Sequence, residues 1–236
     1  MNYIFDVDGT LTPSRLPIDK KFKKFFIEWM KDKNVYLVTG SDKDKTIEQV
    51  GEEIWNNCTR AYQSCGNAVY ENGKLIKQSN FKLDDELRRM LFTFKACSDW
   101  KEQYGNHIEE RIGLINYSTV GRDCPQSARE KYYEFDNKNE ERKMFCQIVE
   151  TTFPHLEASI GGQISIDIYP KGKNKSQILD DVKGDITFFG DRCEPGGNDY
   201  PIVSRIEYEY EHSFDKCIVH NVKNWKETWK ILGELK

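Results

Sequence analysis

The residues at the start of the chain constrain its fold more than any other segment. A short apolar stretch, residues 3–5, leads directly into Asp6, Asp8 and Gly9. The apolar stretch predicts a buried β-strand, on which side chains two positions apart point the same way. Asp6 and Asp8 can therefore face one point, beside a glycine that permits a tight turn. Because carboxylates this close favour a bound cation or a proton, the pattern indicates metal-assisted phosphoryl transfer, with one carboxylate as nucleophile and the other as proton shuttle.

The segments that follow alternate between helical and extended patterns. Apolar residues recur at helical spacing across residues 22–30, behind Asp19 as the predicted N-cap. Residues 35–38 predict a short buried strand, and residues 47–54 predict a second helix. This alternation is typical of a parallel sheet with right-handed crossovers, in which ligands collect beyond the carboxyl ends of the strands.

The middle of the chain has a different pattern, which predicts a second domain. We expect an α/β fold with a Rossmann-like parallel-sheet core formed by residues 1–77 and 171–236. An inserted α+β cap domain, residues 78–170, is expected to contain an antiparallel sheet. The further elements expected are a hairpin at residues 67–76, a helix around 83–94, a strand at 111–120, a charged helix around 145–153, a strand at 164–168, a helix at 175–182, strands at 186–189 and 216–219, and a helix at 225–235.

Polar side chains that follow the predicted core strands are candidates for metal binding. Asp191 ends one of these strands and can supply an oxygen ligand. Mg²⁺ takes six oxygen ligands and keeps waters, so we expect it to bind Asp6, the Asp8 backbone carbonyl, Asp191, water and a substrate phosphate oxygen. Asn198 and Asp199, in the next polar loop, would steady these ligands.

Three further side chains are expected beside the aspartates. Lys175, at the start of a predicted helix, would place its ammonium near Asp6 and the attacked phosphoryl group. Thr39 and Ser41 follow the strand at residues 35–38, so they would lie at the same edge of the sheet.

Arginines in the predicted cap form a second group of candidates. Three of them fall within 19 residues, and a fourth follows the acidic motif: Arg111, Arg122, Arg129 and Arg15. Guanidinium groups match phosphate in geometry and stay charged, so this group would bind a phosphate. Ser165 and Asp167 share the polar face of the last cap strand, where they would bind sugar hydroxyls. The alternative is a chance cluster, since the chain has 35 lysines and arginines.

The composition argues against several classes of protein. With 236 residues, 38% of them hydrophobic, the chain can bury a core in one or two domains. The net charge is −4 and no long basic run occurs, so we expect no nucleic-acid partner. We also expect no membrane partner, because no apolar run approaches about 18 residues. We expect no secretory signal, because the chain starts directly in a strand without a charged n-region and an apolar h-region. Seven scattered cysteines without a C-x-x-C pair predict reduced thiols in a cytoplasmic protein.

Several motifs together resemble one family. They are FDVDGTLTP at residues 5–13 with Arg15, GSD at 40–42, EQVG at 48–51, VGR at 120–122 with Cys124 and Arg129, SIGGQISID at 159–167, Lys175, and FFGD to GGND across 188–199. This set is similar to that of eukaryotic-type phosphomannomutases, which belong to the haloacid dehalogenase superfamily and carry a C2-type cap. The SIGGQ block is more specific than the superfamily motif, because it belongs to the phosphomannomutase cap.

The resemblance implies a role for each candidate residue. Asp6 would accept the phosphoryl group, Asp8 would act as general acid and base, and both would hold Mg²⁺ with Asp191. The substrate would be bound by Arg15, Arg111, Arg122, Arg129, Ser165 and Asp167. Such enzymes interconvert mannose 6-phosphate and mannose 1-phosphate through a bound hexose 1,6-bisphosphate, which is also their activator. They feed GDP-mannose synthesis and are typically homodimers through their caps.

Two other functions stay open. A capped, Mg²⁺-dependent sugar-phosphate phosphatase needs the same aspartates, lysine and metal, but admits water to the aspartyl-phosphate. A catalytically silent sugar-phosphate-binding protein would keep only the fold. The sequence does not rank mannose phosphates against glucose phosphates, because that choice depends on hydroxyl geometry.

Overall fold

The computed structural model describes residues 1–210 and 215–235. The strands are β1 (Asn2–Asp6), β2 (Asn34–Val38), β3 (Arg60–Gln63), β4 (Ala68–Glu71), β5 (Lys74–Gln78), β6 (Ile108–Arg111), β7 (Leu114–Tyr117), β8 (Leu156–Gly161), β9 (Ser165–Pro170), β10 (Ile186–Gly190) and β11 (Cys217–Asn221). The helices are α1 (Lys20–Trp29), α2 (Lys43–Val50), α3 (Glu52–Asn57), α4 (Asp85–Cys97), α5 (Gln126–Asn139), α6 (Glu141–Thr152), α7 (Ile178–Asp181), α8 (Tyr200–Tyr210) and α9 (Trp225–Glu234).

The chain divides into two compact units. The core unit comprises Met1–Gln78 and Lys173–Lys236, and the inserted unit comprises Ser79–Gly172. The core unit contains a seven-stranded sheet in the order β11-β10-β1-β2-β3-β4-β5. Strands β11 to β3 in this order pair in parallel, and β4 and β5 extend the sheet as an antiparallel hairpin. The predicted α/β class with a parallel-sheet core is therefore confirmed.

Helices pack on both faces of the core sheet. Asp19 caps α1 as predicted, accepting hydrogen bonds from the N–H groups of Lys21 and Phe22. On that face Phe22 stacks with Trp225 and Trp229 of α9, with ring centroids 6.0 and 5.4 Å apart. Full burial of the Phe22 side chain contributes about 1.5–3 kcal/mol. On the other face, apolar residues of α7 and α8 pack against β1, β2 and β10. Among the described residues, no helix is both long and apolar enough to cross a membrane.

The inserted unit contains a four-stranded sheet in the order β6-β7-β9-β8. All its neighbouring strands are antiparallel, as predicted. Helices α4 and α6 pack on one face, where Phe94 and Phe145 stack with centroids 4.1 Å apart above Ile166 and Ile168 of β9.

The opposite face of this sheet is polar. Because side chains alternate along a strand, residues that lie between the buried isoleucines point away from the helices. Strand register aligns Glu109 of β6 with Asn116 of β7, and Asn116 with Asp167 of β9. The register thus forms a row of polar side chains across three strands.

Some of the predicted elements are wrong in their bounds. The helix predicted over residues 47–54 is divided into α2 and α3 at Gly51, whose φ is +86°. The strand predicted over residues 111–120 is instead the hairpin β6–β7, which turns at Gly113 with φ +70°. The sequence patterns also do not predict β3, β8, α5 or α8.

Candidate active site

Strand β1 places Asp6 at the carboxyl edge of the core sheet, and a tight loop follows. The N–H of Thr12 donates to the carbonyl of Val7 at 3.0 Å. Gly9 adopts φ +84°, and a Cβ atom there would lie 2.2 Å from Oδ2 of Asp191. Glycine is therefore required where the loop passes this carboxylate.

A buried lysine connects two carboxylates of the core unit. Nζ of Lys175 lies 2.6 Å from Oδ1 of Asp6 and 2.7 Å from Oδ1 of Asp199, and all three side chains are almost fully buried. A short 3₁₀ turn begins at Lys175, and the side chain of Asn174 caps it by accepting from the N–H of Ser176 at 3.0 Å. The ammonium thus compensates two charges whose isolated burial would be costly.

Burial and neighbouring charges set the ionisation of these groups. Burial raises the pKa of Asp6 well above its usual 3.8; Lys175 opposes this rise, whereas the charges of Asp199 and Asp191 add to it. Burial alone would lower the pKa of Lys175, but the carboxylates of Asp199 and Asp6 hold it above its usual value. Burial, followed by the charge of Asp199, raises the pKa of Asp191 to about 6. One ammonium among three carboxyl groups leaves negative charge that a cation can relieve.

The three carboxylates form a candidate metal centre. One oxygen from each of Asp6, Asp191 and Asp199 lies within 4.8 Å of the others. The N–H of Arg192 donates to Oδ2 of Asp199 at 3.1 Å and orients it, whereas Asn198 is exposed. Carboxylate oxygens are the ligands that Mg²⁺ prefers, so these residues fit this ion. The sequence predicts that Asp199 supports the metal ligands without being one of them, whereas its carboxylate lies in the cluster itself.

Two hydrogen bonds to one oxygen orient Asp8. The backbone N–H of Arg15 donates to Oδ1 of Asp8 at 2.6 Å, and Nε2 of Gln49 donates to the same atom at 2.9 Å. Gln49 is buried on α2 and also donates to Oγ1 of Thr12 at 3.3 Å. Sequence reasoning assigns Gln49 no role, although it belongs to the EQVG motif. These two hydrogen bonds fix the orientation of the Asp8 carboxylate.

Thr39 and Ser41 follow β2 at the same edge of the sheet as Asp6. Oγ1 of Thr39 accepts a hydrogen bond from the N–H of Ser41 at 3.1 Å. Thr39 is buried, Ser41 is partly exposed, and Arg15 is exposed. Ser41 is therefore the more accessible of the two hydroxyl residues.

In the inserted unit, two of the predicted arginines share a glutamate. Oε2 of Glu109 lies 2.8 Å from Nη2 of Arg111 and 3.1 Å from Nε of Arg122. Nη2 of Arg129 donates to the carbonyl of Arg122 at 2.9 Å. Nη1 of Arg129 is buried and has no hydrogen-bond partner among the described residues. Arg111 and Arg122 thus share Glu109, while Arg129 contacts the backbone of Arg122. The sequence patterns miss Glu109 because Arg122 reaches it from the turn after β7, where the N–H of Arg122 donates to the carbonyl of Asn106 at 2.6 Å.

Asp167 and Ser165 lie on β9, next to this cluster. Nδ2 of Asn116 donates to Oδ1 of Asp167 at 2.5 Å, a contact that the sequence pattern does not indicate. Burial raises the pKa of Asp167 above its usual value, against the lowering effect of Arg111. Oγ of Ser165 donates to the carbonyl of Gly161 at 2.8 Å. The polar face of the sheet therefore carries both charges and hydroxyl groups.

Comparison with known sequences identifies the family. The sequence model of the family described as eukaryotic phosphomannomutase matches residues 22–236. A phosphomannomutase from Arabidopsis thaliana is 38% identical over 211 residues, which cover 84% of this chain and 85% of that protein. A phosphomannomutase from Saccharomyces cerevisiae is 32% identical over 244 aligned residues, which cover 98% of this chain and 92% of that protein.

Solved structures share the fold at lower identity. The C-terminal domain of trehalose-6-phosphate phosphatase from C. albicans has a TM-score of 0.64 and 14% identity, over 99% of this chain and 90% of that chain. A haloacid dehalogenase-like hydrolase from Bacteroides thetaiotaomicron has a TM-score of 0.61 and 10% identity, over 99% of this chain and 98% of that chain. At such low sequence identities, these structures show a shared fold and nothing about function. The match over residues 22–236 and the relatives that span most of the chain show that this protein belongs to the eukaryotic phosphomannomutase family of enzymes.

Proposed function

We propose that this protein interconverts mannose 6-phosphate and mannose 1-phosphate through an aspartyl-phosphate at Asp6 and a hexose 1,6-bisphosphate intermediate. The observation that carries the proposal is the buried Asp6 carboxylate, bonded to Lys175 at 2.6 Å beside Asp191 and Asp199. Membership of the phosphomannomutase family supports the choice of substrate.

In the proposed mechanism Asp6 is the nucleophile. Its oxygen forms a bond to phosphorus of the bisphosphate while the bond from phosphorus to the sugar oxygen breaks. Lys175 holds Asp6 in place and compensates its charge. Asp8, held through Oδ1 by Gln49, gives a proton to the departing sugar oxygen. In the reverse direction, the phosphoryl group passes from Asp6 to a sugar hydroxyl whose proton Asp8 accepts.

Mg²⁺ is the proposed cofactor. Asp6, Asp191, Asp199 and the backbone carbonyl of Asp8 would hold it. When bound, Mg²⁺ would neutralise negative charge on the phosphoryl group and on the carboxylates. The raised pKa of Asp6 and that of Asp191, about 6, support a cationic partner, because burial raises both and the charges of neighbouring carboxylates add to the rise.

We further propose that residues 78–170 act as the substrate cap. Arg111, Arg122 and Arg129, together with Arg15, would bind the phosphate that is not being transferred. The buried Nη1 of Arg129 supports an anionic ligand, because a buried donor without a partner is costly. Additional proposed contacts to the sugar phosphate come from Ser165, Asp167, Thr39 and Ser41. A closed cap would also exclude water, which otherwise hydrolyses an aspartyl-phosphate.

Phosphorus NMR of the purified protein with mannose 1-phosphate and Mg²⁺ tests this function. We expect mannose 6-phosphate to form, faster when a hexose 1,6-bisphosphate is added, and Asp6→Asn to abolish the reaction. Inorganic phosphate as the only product would show a phosphatase instead. Ligand binding without any turnover would favour a silent sugar-phosphate-binding protein.

We also propose that the protein is a homodimer through the inserted unit. A cavity of about 550 Å³ lies among α4, α5 and α6, and Met144 and Ile148 on its rim are 48% and 37% exposed. Apolar side chains exposed together are typical of a protein interface. Light scattering should report a dimer that Met144→Glu converts to a monomer; a monomeric parent protein would refute this.

The proposed location is the cytoplasm, where the product would feed GDP-mannose synthesis. All seven cysteines fall in the described part of the chain, and none of them forms a disulfide there. Cysteines without disulfides are typical of a reducing compartment. Fractionation of the source cells should recover the protein with the cytoplasmic fraction, and recovery in a secreted or membrane fraction would refute this location.

A further inference from the structure

Glu109 places a negative charge inside a cluster of arginines that the proposed function assigns to phosphate. Its Oε2 contacts both Arg111 and Arg122, at 2.8 and 3.1 Å. Strand register sets Glu109 opposite Asn116, which lies opposite Asp167 on the same polar face. Two carboxyl groups thus border the arginine pair. Carboxylates repel phosphate, so they would not strengthen a site whose only role was tight phosphate binding.

The two carboxyl groups differ in how readily they ionise. Burial opposes the ionisation of Glu109, but its hydrogen bond to Arg111 and the charges of Arg111 and Arg122 outweigh burial and hold its pKa below the usual value. Burial instead raises the pKa of Asp167. At neutral pH, Glu109 therefore carries a full negative charge that offsets one of the two positive charges of the arginine pair.

We propose that Glu109 is a positioning residue that holds Arg111 and Arg122 side by side and weakens their hold on a sugar phosphate. The inference rests on the proposed function, because a mutase must release the distal phosphate before its bisphosphate intermediate can turn around. Tighter binding of ground state and transition state alike lowers KM without raising kcat. Where release limits turnover, it lowers kcat as well. Glu109 thus favours turnover at the expense of affinity.

Calorimetric binding of mannose 6-phosphate to the full chain carrying Asp6→Asn, in EDTA, tests the role of this charge. Glu109→Gln keeps the size of the side chain and an oxygen acceptor but removes the charge. We expect Kd to fall about tenfold, equivalent to about 1.4 kcal/mol, and the gain to shrink as salt is added. The matched control is Glu110→Gln on the same strand, which pairs with Arg88 at 3.0 Å and should change Kd by less than about twofold.

Kinetics of the otherwise unmodified enzyme separate this role from simple support of the fold. In Glu109→Gln, KM for the sugar phosphate and kcat should both fall, and Glu109→Asp, which retains the charge, should recover part of kcat. Unchanged or weaker binding of mannose 6-phosphate by the Gln variant would overturn the inference. If the parent enzyme only releases phosphate while the Gln variant still binds more tightly, the proposed function fails and the role of the Glu109 charge stands.

Discussion

Replacing Lys175 with methionine tests how strongly the buried charges of the core site depend on one another. Nζ of Lys175 makes ion pairs of 2.6 and 2.7 Å with Asp6 and Asp199, and its side chain is 1% exposed. Removing one partner from a buried pair costs about 3–5 kcal/mol, because the remaining charges lose their compensation. For a chain of this length, about 2–4 °C of Tm corresponds to each kcal/mol, so Tm should fall by about 6–20 °C.

The loss of stability in Lys175→Met should depend on pH. The pKa of Asp6 is already raised by burial, so the native state holds its proton to higher pH than the unfolded chain does. Stability therefore falls as pH rises from about 4 through the raised pKa of Asp6. Lys175 normally lowers that pKa, so its removal raises the pKa further. Because Lys175 keeps its charge throughout this range, the stability gap between the parent protein and the variant should widen as pH rises through the raised pKa of Asp6.

Thermal and urea unfolding in EDTA at several pH values measures this gap. Lys31→Met is the matched control, since Lys31 pairs with Glu28 at 2.7 Å but the two side chains are 61% and 65% exposed. Its loss should stay below about 1 kcal/mol at every pH. If Lys175→Met were as stable as this control, or if its deficit did not grow as pH rises, the coupling between Lys175 and Asp6 would be refuted.

Three further changes probe the geometry of the core site. Gly9→Ala should weaken Mg²⁺ binding at least about tenfold, measured by calorimetry, because its Cβ would meet Asp191 at 2.2 Å. In the control Gly172→Ala, where φ is +75° and nothing lies within 4 Å of the new Cβ, the substitution should cost only about 1–2 kcal/mol of stability. Equal effects of the two substitutions on Mg²⁺ binding would contradict this. Gln49→Leu should lower kcat about tenfold with little change in KM, since Asp8 loses a hydrogen bond, and an unchanged kcat would count against that role. Because the pKa of Asp191 is about 6, Kd for Mg²⁺ should rise as pH falls below 6; a Kd independent of pH between 5 and 8 would exclude Asp191 as a ligand.

The sequence predicts those parts of the fold that depend on the pattern of residues close together along the chain. The strand before Asp6, the capped helix after Asp19 and the alternation in β9 each depend on neighbouring residues alone. Breaks without a local signal escape such reasoning. Glu140 separates α5 from α6 in a left-handed conformation, φ +52°, without the glycine that usually marks one. Helix α8 does carry a signal, because Pro201 lies in its first turn.

The residues of the candidate site also include some that a local sequence signal predicts and some that it does not. Asp6 and Asp191 follow from strand ends. Lys175 is expected near Asp6 although the two residues lie 169 positions apart, because it begins a predicted helix at the same edge of the sheet. The direct place of Asp199 in the carboxylate cluster depends on how its loop folds back, and the contact from Glu109 to Arg122 depends on the turn that follows β7. Local periodicity contains neither kind of information.

Trapping the phosphorylated enzyme is the most direct test of Asp6 as the nucleophile. The protein is mixed with Mg²⁺ and a hexose 1,6-bisphosphate, quenched in acid, digested and analysed by mass spectrometry. We expect one phosphoryl group on Asp6, removed by hydroxylamine and lost when mannose 6-phosphate is added before the quench. Phosphorylation of any other residue, or full mutase activity in Asp6→Asn, would contradict it.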